Sequence, residues 1–354
     1  MRTKSVVAAI AAGASLAGGA WAGDSIEPRF FRNVRQLTRD EMGFTRAGEA
    51  YFSADGKRVC FQAYPKGSDA YQIYVMDLDG KEVTMVSTGK GATTCSFFSP
   101  DGSCLIFASN HLDPRPVGPG AESRPSGGGG RSYAWSFYPG MDIFTYSFAD
   151  RSLKPLIQAD GYDAECSFSP DGKLIVFSSM RDGDQEIYIA DSSGRNPRRI
   201  TSAKGYDGGP FFSPDGKRIV YRSDRNGDGN LQIYVNSIAG DDEHRITHDD
   251  GVLHWCPYWH PSGKWLIYTR ADHGTEAAPK RPNYDLYLLR DDGSQEIRVT
   301  DDETFDGLPV FSNDGELLMW TTRRNGVSSP HIFFADFTGL SPAGELSAAA
   351  RETP

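Results

Sequence analysis

Residues 169–191 read SPDGKLIVFSSMRDGDQEIYIAD and contain two turn signals, each followed by a strand signal. Pro, Asp and Gly in the first turn favour a tight reversal, and the apolar run KLIVFSS after it has the composition of a buried strand. A second turn, RDGD, then leads into the strand QEIYIAD. The segment therefore predicts a β-hairpin, and its first turn recurs along the chain.

Six copies of this anchor turn begin at Ser53, Ser99, Ser169, Ser213, His260 and Ser312. They are 46, 70, 44, 47 and 52 residues apart, which is the spacing of propeller blades that carry insertions. Each copy is followed by an apolar strand and an aromatic-bearing strand, and five of the six by a third, β-branched run. The repeats predict an all-β, six-bladed β-propeller of four-stranded antiparallel blades.

The third run is missing after the sixth copy, whose last strand is HIFFAD. A matching run, VRQLTR, lies at the other end of the chain between Val34 and Arg39. Pairing the two segments would complete the sixth blade and cover the open edge of the ring. We therefore expect an N-terminal strand to close the propeller.

Three segments fall outside the repeats. Residues 1–22 have a basic start, a small apolar middle and the ending AWA, which predicts a cleavable signal peptide and a periplasmic or secreted protein. Residues 113–134 are rich in Pro and Gly and predict a flexible insertion in blade two. The propeller is expected over residues 23–338, followed by a disordered tail over 339–354.

The repeat also has a family resemblance. A consensus of blades three and four reads RxxTxxxGYDxxPxFSPDGKRIVYxSDRDGxxxIYVMDxDG. This consensus resembles the TolB-like propeller repeat of exported bacterial proteins. The resemblance covers roughly residues 34–338 and implies the fold, while the same repeat serves binding modules and enzyme appendages alike. Fewer than twenty residues separate the signal peptide from the first strand. We therefore expect the propeller without the α/β domain that precedes it in TolB itself.

The composition excludes one class of partner. The net charge is −10, and the chain has no basic run or basic-aromatic stripe. Nucleic acid is not an expected partner, because its phosphates require clustered Lys and Arg. We expect no transmembrane segment in the mature chain. The expected partner of this predicted monomer is an envelope protein, a peptide or a glycan.

The cysteine count is odd, with residues Cys60, Cys95, Cys104, Cys166 and Cys256. At least one thiol is therefore unpaired. Buried packing is the favoured role for the cysteines on innermost strands. A disulfide between Cys95 and Cys104 across one hairpin stays open as an alternative.

Loops that enter each blade and loops that join its second and third strands open on the same side of the ring, where we expect a ligand. Six residues before the anchor, four successive blades carry Asp163, Asp207, His254 and Asp306. Four residues before the anchor, Glu49 and Glu165 are predicted to line the bore. The remaining candidates at this mouth are His111, Arg181, Arg222, Trp255, Arg270 and His273.

These side chains allow more than one interpretation. The aspartates can instead accept backbone hydrogen bonds in repeated Asx turns. His254 and Trp255 break the repeat, so we expect them to contact a ligand by hydrogen bonding or stacking. No cofactor is expected, with one alternative: a divalent cation held by His111, Glu165 and His254 would have mixed nitrogen and oxygen ligands.

Signatures of common enzymes are missing. The mature chain has no GxSxG elbow, no HExxH motif and no Walker loop. The favoured hypothesis is an exported, non-catalytic binding or scaffold module for a protein, peptide or glycan. The alternative is a polysaccharide lyase or hydrolase that uses His, Asp and Tyr side chains at the channel mouth, with or without a metal ion.

Overall fold

The computed structural model describes residues 25–68, 70–113, 123–125, 134–136, 138–273 and 282–352. In this part of the chain, six antiparallel four-stranded sheets form the blades of a ring. The helical segments here are two 3₁₀ turns, Glu27–Arg29 and Asp40–Met42, and the helix α1, Ala348–Arg351. No helix within these ranges has the length and apolar character needed to cross a membrane. The predicted six-bladed, all-β propeller is confirmed.

The strands are numbered in chain order, and β1 (Phe31–Gln36) precedes the first blade. Blade one contains β2 (Phe44–Phe52), β3 (Arg58–Pro65), β4 (Gln72–Asp77) and β5 (Thr84–Met85). Blade two contains β6 (Thr93–Phe98), β7 (Cys104–Ser109), β10 (Asp142–Ser147) and β11 (Leu153–Ile157), with the small hairpin β8 (Ser123–Pro125) and β9 (Ala134–Ser136) inserted after β7. Blade three contains β12 (Asp163–Phe168), β13 (Leu174–Ser179), β14 (Glu186–Asp191) and β15 (Arg198–Arg199).

The remaining blades follow the same order. Blade four contains β16 (Asp207–Phe212), β17 (Arg218–Ser223), β18 (Gln232–Ser237) and β19 (His244–Arg245). Blade five contains β20 (Val252–Trp259), β21 (Trp265–Asp272), β22 (Asp285–Arg290) and β23 (Glu296–Arg298). Blade six contains β24 (Asp306–Phe311), β25 (Leu317–Thr322), β26 (His331–Phe337) and, as its outer strand, β1.

The anchor turn joins the first and second strands of each blade by local hydrogen bonds. In blade three, the Ser169 hydroxyl donates to Asp171 at 2.7 Å and accepts from the Leu174 amide at 2.9 Å. Gly172 adopts a φ of 69°, a conformation that glycine reaches without steric cost. In blade five, His260 replaces the serine, and its ring contacts the Ser262 hydroxyl at 2.9 Å. These short-range bonds explain why the turn is the clearest signal in the sequence.

Strand β1 closes the ring by pairing antiparallel with β26. The predicted run began at Val34, whereas the strand begins at Phe31, which pairs with Phe337 and packs its ring 5.4 Å from that of Trp320. A second attachment precedes the strand, because the Arg324 guanidinium donates to the buried carboxylate of Glu27. The predicted closure by an N-terminal strand is confirmed.

The C-terminal segment differs from its prediction. Residues 339–352, expected to be disordered, fold back onto the propeller. Leu340 and Ala350 are buried in the same apolar cluster as Phe30 and Trp265, and the Trp265 indole donates to the Gly344 carbonyl at 2.9 Å. The small and apolar side chains of this segment therefore cover a surface that blades five and six would otherwise expose.

Two other predicted segments fall largely or wholly outside the described residues. The signal peptide, residues 1–22, lies outside them entirely. Within the predicted flexible insertion, residues 113–134, the described parts are residue 113, β8 and the first residue of β9. Both assignments stay predictions.

All five cysteines carry free thiols. The register of β6 and β7 excludes the Cys95–Cys104 disulfide that the sequence left open. Phe98 faces Leu105, so Cys104 lies beside the anchor turn, whereas Cys95 sits further along β6 between the pairs formed by Thr94 and Phe97. A disulfide requires close, facing Cβ atoms, which this register does not provide.

Removal of residues 25–39 should weaken the whole ring. A chain beginning at residue 40 loses β1, leaves β26 as an open edge and leaves Arg324 without Glu27. We expect its melting temperature to lie roughly 5–10 °C below that of a chain beginning at residue 25. Differential scanning calorimetry of the two chains makes the comparison, and equal melting temperatures would rule out β1 as the closing strand.

Candidate functional site

Each innermost strand contains a β-bulge four residues before the anchor turn. The bulged residues, which we call the belt, are Glu49, Cys95, Glu165, Gly209, Cys256 and Leu308. All six have φ values between 46° and 59°, a region in which residues other than glycine are strained. Bulges redirect side chains and are frequent next to functional sites. Here they turn one residue of every blade toward the central channel.

The belt lines a cavity of about 430 Å³. Aromatic side chains form much of its wall: Tyr64, Tyr71, Tyr138, Tyr162, Trp255 and Phe305. Its floor is formed by Tyr51, Phe211 and Tyr258, which cluster with Phe97 so that the contacting rings have centroids 5.1–6.2 Å apart. Phe211 and Tyr258 also line a separate cavity of about 300 Å³ on the anchor-turn side. The floor therefore divides the channel in two.

Glu165 is the most extensively bonded group of the belt. Its carboxylate accepts hydrogen bonds from the hydroxyls of Ser178 and Tyr206, at 2.9 Å each, and from the Gly209 amide at 2.8 Å. The Arg222 guanidinium adds an ion pair at 3.0 Å. Gly208 permits this approach, because a Cβ there would lie 2.4 Å from the Glu165 carboxylate. Glu165 thus fastens blade three to blade four.

Glu49 is the less satisfied carboxyl of the belt. The Tyr51 hydroxyl donates to it over 3.4 Å. Burial raises the pKa of Glu49, with a further rise from the charge of Glu165, while a hydrogen bond from the Cys95 thiol and the charge of Arg222 oppose the rise. Burial also raises the pKa of the Cys95 thiol well above its usual value. The Glu49 carboxyl group can therefore still form hydrogen bonds with a ligand in the cavity.

The three aspartates predicted at the mouth do not line the cavity. Each is buried and pairs with an arginine eighteen residues later: Asp163 with Arg181 at 3.1 Å, Asp207 with Arg225 at 2.9 Å and Asp306 with Arg324 at 2.6 Å. Each arginine also donates to the hydroxyl two residues before it, on Ser179, Ser223 or Thr322. The Asx-turn alternative is also wrong, because the acceptors serve side chains rather than turn amides. These residues form a repeated structural clasp.

Blade five lacks this clasp. His254 occupies the aspartate position, and Asp272 occupies the arginine position. The His254 ring is buried 5.4 Å from that of Tyr268, and neither ring nitrogen has a hydrogen-bond partner among the residues that the structure describes. Burial, aided by the charge of Arg270, lowers the pKa of His254 to about 3. Arg270 itself pairs with Asp249 and Glu296, both at 2.8 Å.

The histidines predicted at the mouth do not assemble a metal site. His111 contacts the Ser109 hydroxyl at 2.9 Å, and His273 contacts the Tyr284 hydroxyl at 2.9 Å. Neither these nor His254 line the cavity that contains Glu165. Across the described ranges, no three His, Cys, Asp or Glu side chains are placed to hold one ion. The trio His111, Glu165 and His254 is therefore not brought together.

The cavity thus contains four of the residues predicted at the mouth or bore: Glu49, Glu165, Arg222 and Trp255. The prediction of bore-lining positions was correct for Glu49 and Glu165. Counting four residues back from every anchor would also have found the rest of the belt. Sequence reasoning missed Arg46, Tyr64 and Tyr71, which approach the cavity from outside this repeat position.

The structural role of the clasp can be tested at Arg324. Replacing Arg324 by Gln leaves the carboxylates of Glu27 and Asp306 buried without their cation. We expect a loss of about 3–5 kcal/mol in the free energy of unfolding, measured by urea denaturation. The matched control is Arg323→Gln at the exposed neighbouring position, where the change should stay below about 0.5 kcal/mol. Equal effects would show that the clasp contributes nothing to stability.

His254 should make the protein sensitive to acid. Its pKa is about 3 in the folded state and about 6.5 in the unfolded chain, so the unfolded state binds the extra proton as the pH falls. The wild type should lose roughly 2.5 kcal/mol through this group between pH 6.5 and pH 4.5. The variant His254→Phe keeps the contact with Tyr268 and should lack this loss. Parallel stability curves for the two proteins would show that His254 titrates normally.

Comparison with known proteins supports the fold. Residues 140–281 match the TolB beta propeller domain family. The chain is similar to a putative TolB from Agrobacterium tumefaciens, with 21% identity and a TM-score of 0.58 over 82% of this chain and 90% of that one. It is similar to TolB from Acinetobacter baumannii, with 18% identity and a TM-score of 0.57 over 83% of this chain and 66% of that one.

A more distant similarity is to hydrazine synthase from Kuenenia stuttgartiensis, with 15% identity and a TM-score of 0.54 over 86% of this chain and 42% of that one. At these identities the solved structures establish the fold and leave the function open. The six blades, their anchor turns and the family match over residues 140–281 agree with the resemblance found in the sequence. The chain is a six-bladed β-propeller, and residues 140–281 within it match the TolB beta propeller domain family.

Proposed function

We propose that this protein is an exported, non-catalytic binding module that takes a segment of a protein, a peptide or a glycan into the belt cavity. Export rests on the signal-peptide pattern of residues 1–22. Binding rests on the cavity itself, a concave site of about 430 Å³ within the size range of ligand pockets. The rigid blades hold its walls in place before any ligand arrives.

The observation that carries the proposal is the convergence of the six strained belt positions on one cavity. Five of them are not glycine, and each such residue costs about 1–3 kcal/mol in backbone strain. A purely structural channel would be more stable with glycine at these places. Strain that is retained at one cavity supports a role for its side chains in binding.

The polar groups of the cavity favour binding over catalysis. Glu165 is held by three hydrogen bonds and an ion pair, so its oxygens already serve donors of the protein rather than a substrate. Burial raises the pKa of Cys95 and Cys256 well above the usual thiol value, which disfavours the nucleophilic thiolate. Among the described residues that line the cavity, none is a histidine. The lyase or hydrolase alternative therefore gains no support from this geometry.

Filling the cavity should abolish binding. Leu308 belongs to the belt and is partly exposed within the cavity, so Leu308→Trp would occupy space that a ligand needs. Ligands of the wild type would first be selected from a displayed peptide library and an oligosaccharide array. We expect Leu308→Trp to weaken their affinity at least tenfold in titration calorimetry, with a change of about 2 °C or less in melting temperature.

The matched control is Leu112→Trp, because Leu112 is 62% exposed on a loop and does not line the cavity. This control should bind like the wild type. If Leu308→Trp binds every selected ligand with unchanged affinity, the binding site lies elsewhere and the proposal fails.

A further inference from the structure

The arginines around the cavity fall into two groups. Arg222, which lines the cavity, and four arginines outside its lining are paired with acidic side chains: Arg181–Asp163, Arg222–Glu165, Arg225–Asp207, Arg270–Glu296 and Arg324–Asp306. Arg46 and Arg323 line the same cavity, yet within the described part of the chain neither is within ion-pair distance of a carboxylate. Their charges can therefore meet an anionic ligand at this cavity, in a protein whose net charge is −10.

Arg46 is held in position by aromatic side chains. Its guanidinium carbon lies 5.2 Å from the ring centroids of both Tyr64 and Tyr71. These two rings lie 4.1 Å apart, and both line the cavity. Cation–π contacts of this kind orient a guanidinium without neutralising its charge. The donors of Arg46 are therefore available to an anion, and little side-chain freedom is lost when one binds.

Arg46 and Arg323 lie on the two sides of the seam where blade one meets blade six. The Ala47 amide donates to the Pro330 carbonyl at 3.0 Å across this seam, and the Glu49 amide donates to the Thr321 hydroxyl at 3.3 Å. Arg46 directly precedes Ala47, and Arg323 follows Thr321 by two residues. The two arginines therefore lie on the same side of the cavity opening, which we call the rim.

The interior of the cavity sets a second requirement on the ligand. Glu49 and Glu165 occupy the belt, so a carboxylate of a ligand is better placed beside Arg46 and Arg323 than beside these two acids. Below them, the floor of Tyr51, Phe211 and Tyr258 offers mainly aromatic surface. The oxygens of Glu165 already accept hydrogen bonds from Ser178, Tyr206 and Gly209, so this carboxylate is not available to the hydroxyls of a sugar. An apolar side chain suits this floor better than a sugar ring does.

We propose that the ligand is an acidic peptide segment, with a carboxylate bound by Arg46 and Arg323 at the rim and an apolar side chain on the aromatic floor. This inference rests on the proposed binding function and specifies its ligand. Arginine is suited to the task because its planar guanidinium donates two parallel hydrogen bonds to a carboxylate.

A set of blocked hexapeptides tests the inference. Each peptide carries Phe, Leu or Trp next to Asp or Glu, and a companion peptide replaces the acid by Asn or Gln. Fluorescence anisotropy should show that the full mature chain binds at least one acidic peptide ten times more tightly than its amide companion. Raising the salt concentration to about 0.5 M should reduce this preference, because the rim charges are exposed to screening.

The double variant Arg46→Gln with Arg323→Gln should lose the preference for the acidic peptide while keeping the melting temperature of the wild type. The control Arg32→Gln removes an exposed arginine from β1, outside the cavity, and should keep the preference. If acidic and amide peptides bind the wild type equally, the inference fails and the binding function stands.

Two further outcomes are decisive. Arginine-dependent binding of acidic oligosaccharides, with no peptide bound, would overturn the peptide assignment. The absence of binding by any peptide or oligosaccharide at millimolar concentration would overturn both the inference and the proposed function.

Discussion

The hydrogen bonds between β1 and β26 join segments about 300 residues apart in the chain. Each blade packs against a neighbour on both sides, so a ring that stayed open would leave two sheet faces and one strand edge in water. The chain covers these surfaces in two ways. Strand β1 completes the hydrogen-bonded edge of blade six, and the Glu27–Arg324–Asp306 contacts bury charge beside it. The C-terminal segment then covers the apolar surface around Phe30 and Trp265.

A closed ring holds its innermost strands at fixed positions, and this explains why strain can persist at the belt. Residues such as Glu49, Cys95 and Leu308 keep left-handed backbone conformations because the hydrogen bonds of β2, β6 and β24 on either side leave the bulge no alternative register. The clasp residues contribute in another way. Asp163 and Arg181 fix the loop that follows β13 to the first residue of β12.

The parts of the fold that depend on neighbouring residues could be predicted from sequence. The anchor turn at Ser169 is specified by contacts within five residues, which is why six copies could be aligned and the fold inferred. The Asp163–Arg181 pair was harder to assign, because its members are eighteen residues apart and become partners only when β12 and β13 pair. The order of residues 339–352 depends on surfaces of other blades, chiefly Trp265. Local sequence carries no signal for such a contact.

The residues of the candidate site also divide into those set by the local repeat and those that depend on distant contacts. Glu49 and Glu165 were found by counting from the anchor, since the bulge has one position in every repeat. His254 was misplaced because a break in the repeat suggested ligand contact, whereas its ring stacks on Tyr268 inside the blade. Arg46 could not be identified from the repeat, because its cation–π partners are Tyr64 on β3 and Tyr71 just before β4.

The aromatic floor has a consequence for how a partner enters and leaves. Because Tyr51, Phe97, Phe211 and Tyr258 separate the two cavities, the axis of the ring is not a conduit. An extended polypeptide cannot be threaded from one side to the other, and whatever enters must withdraw through the opening by which it arrived. Such a blind recess suits a chain terminus or the tip of a loop. The closed recess therefore favours a chain terminus or a loop tip over the middle of an extended segment, in addition to favouring particular side chains.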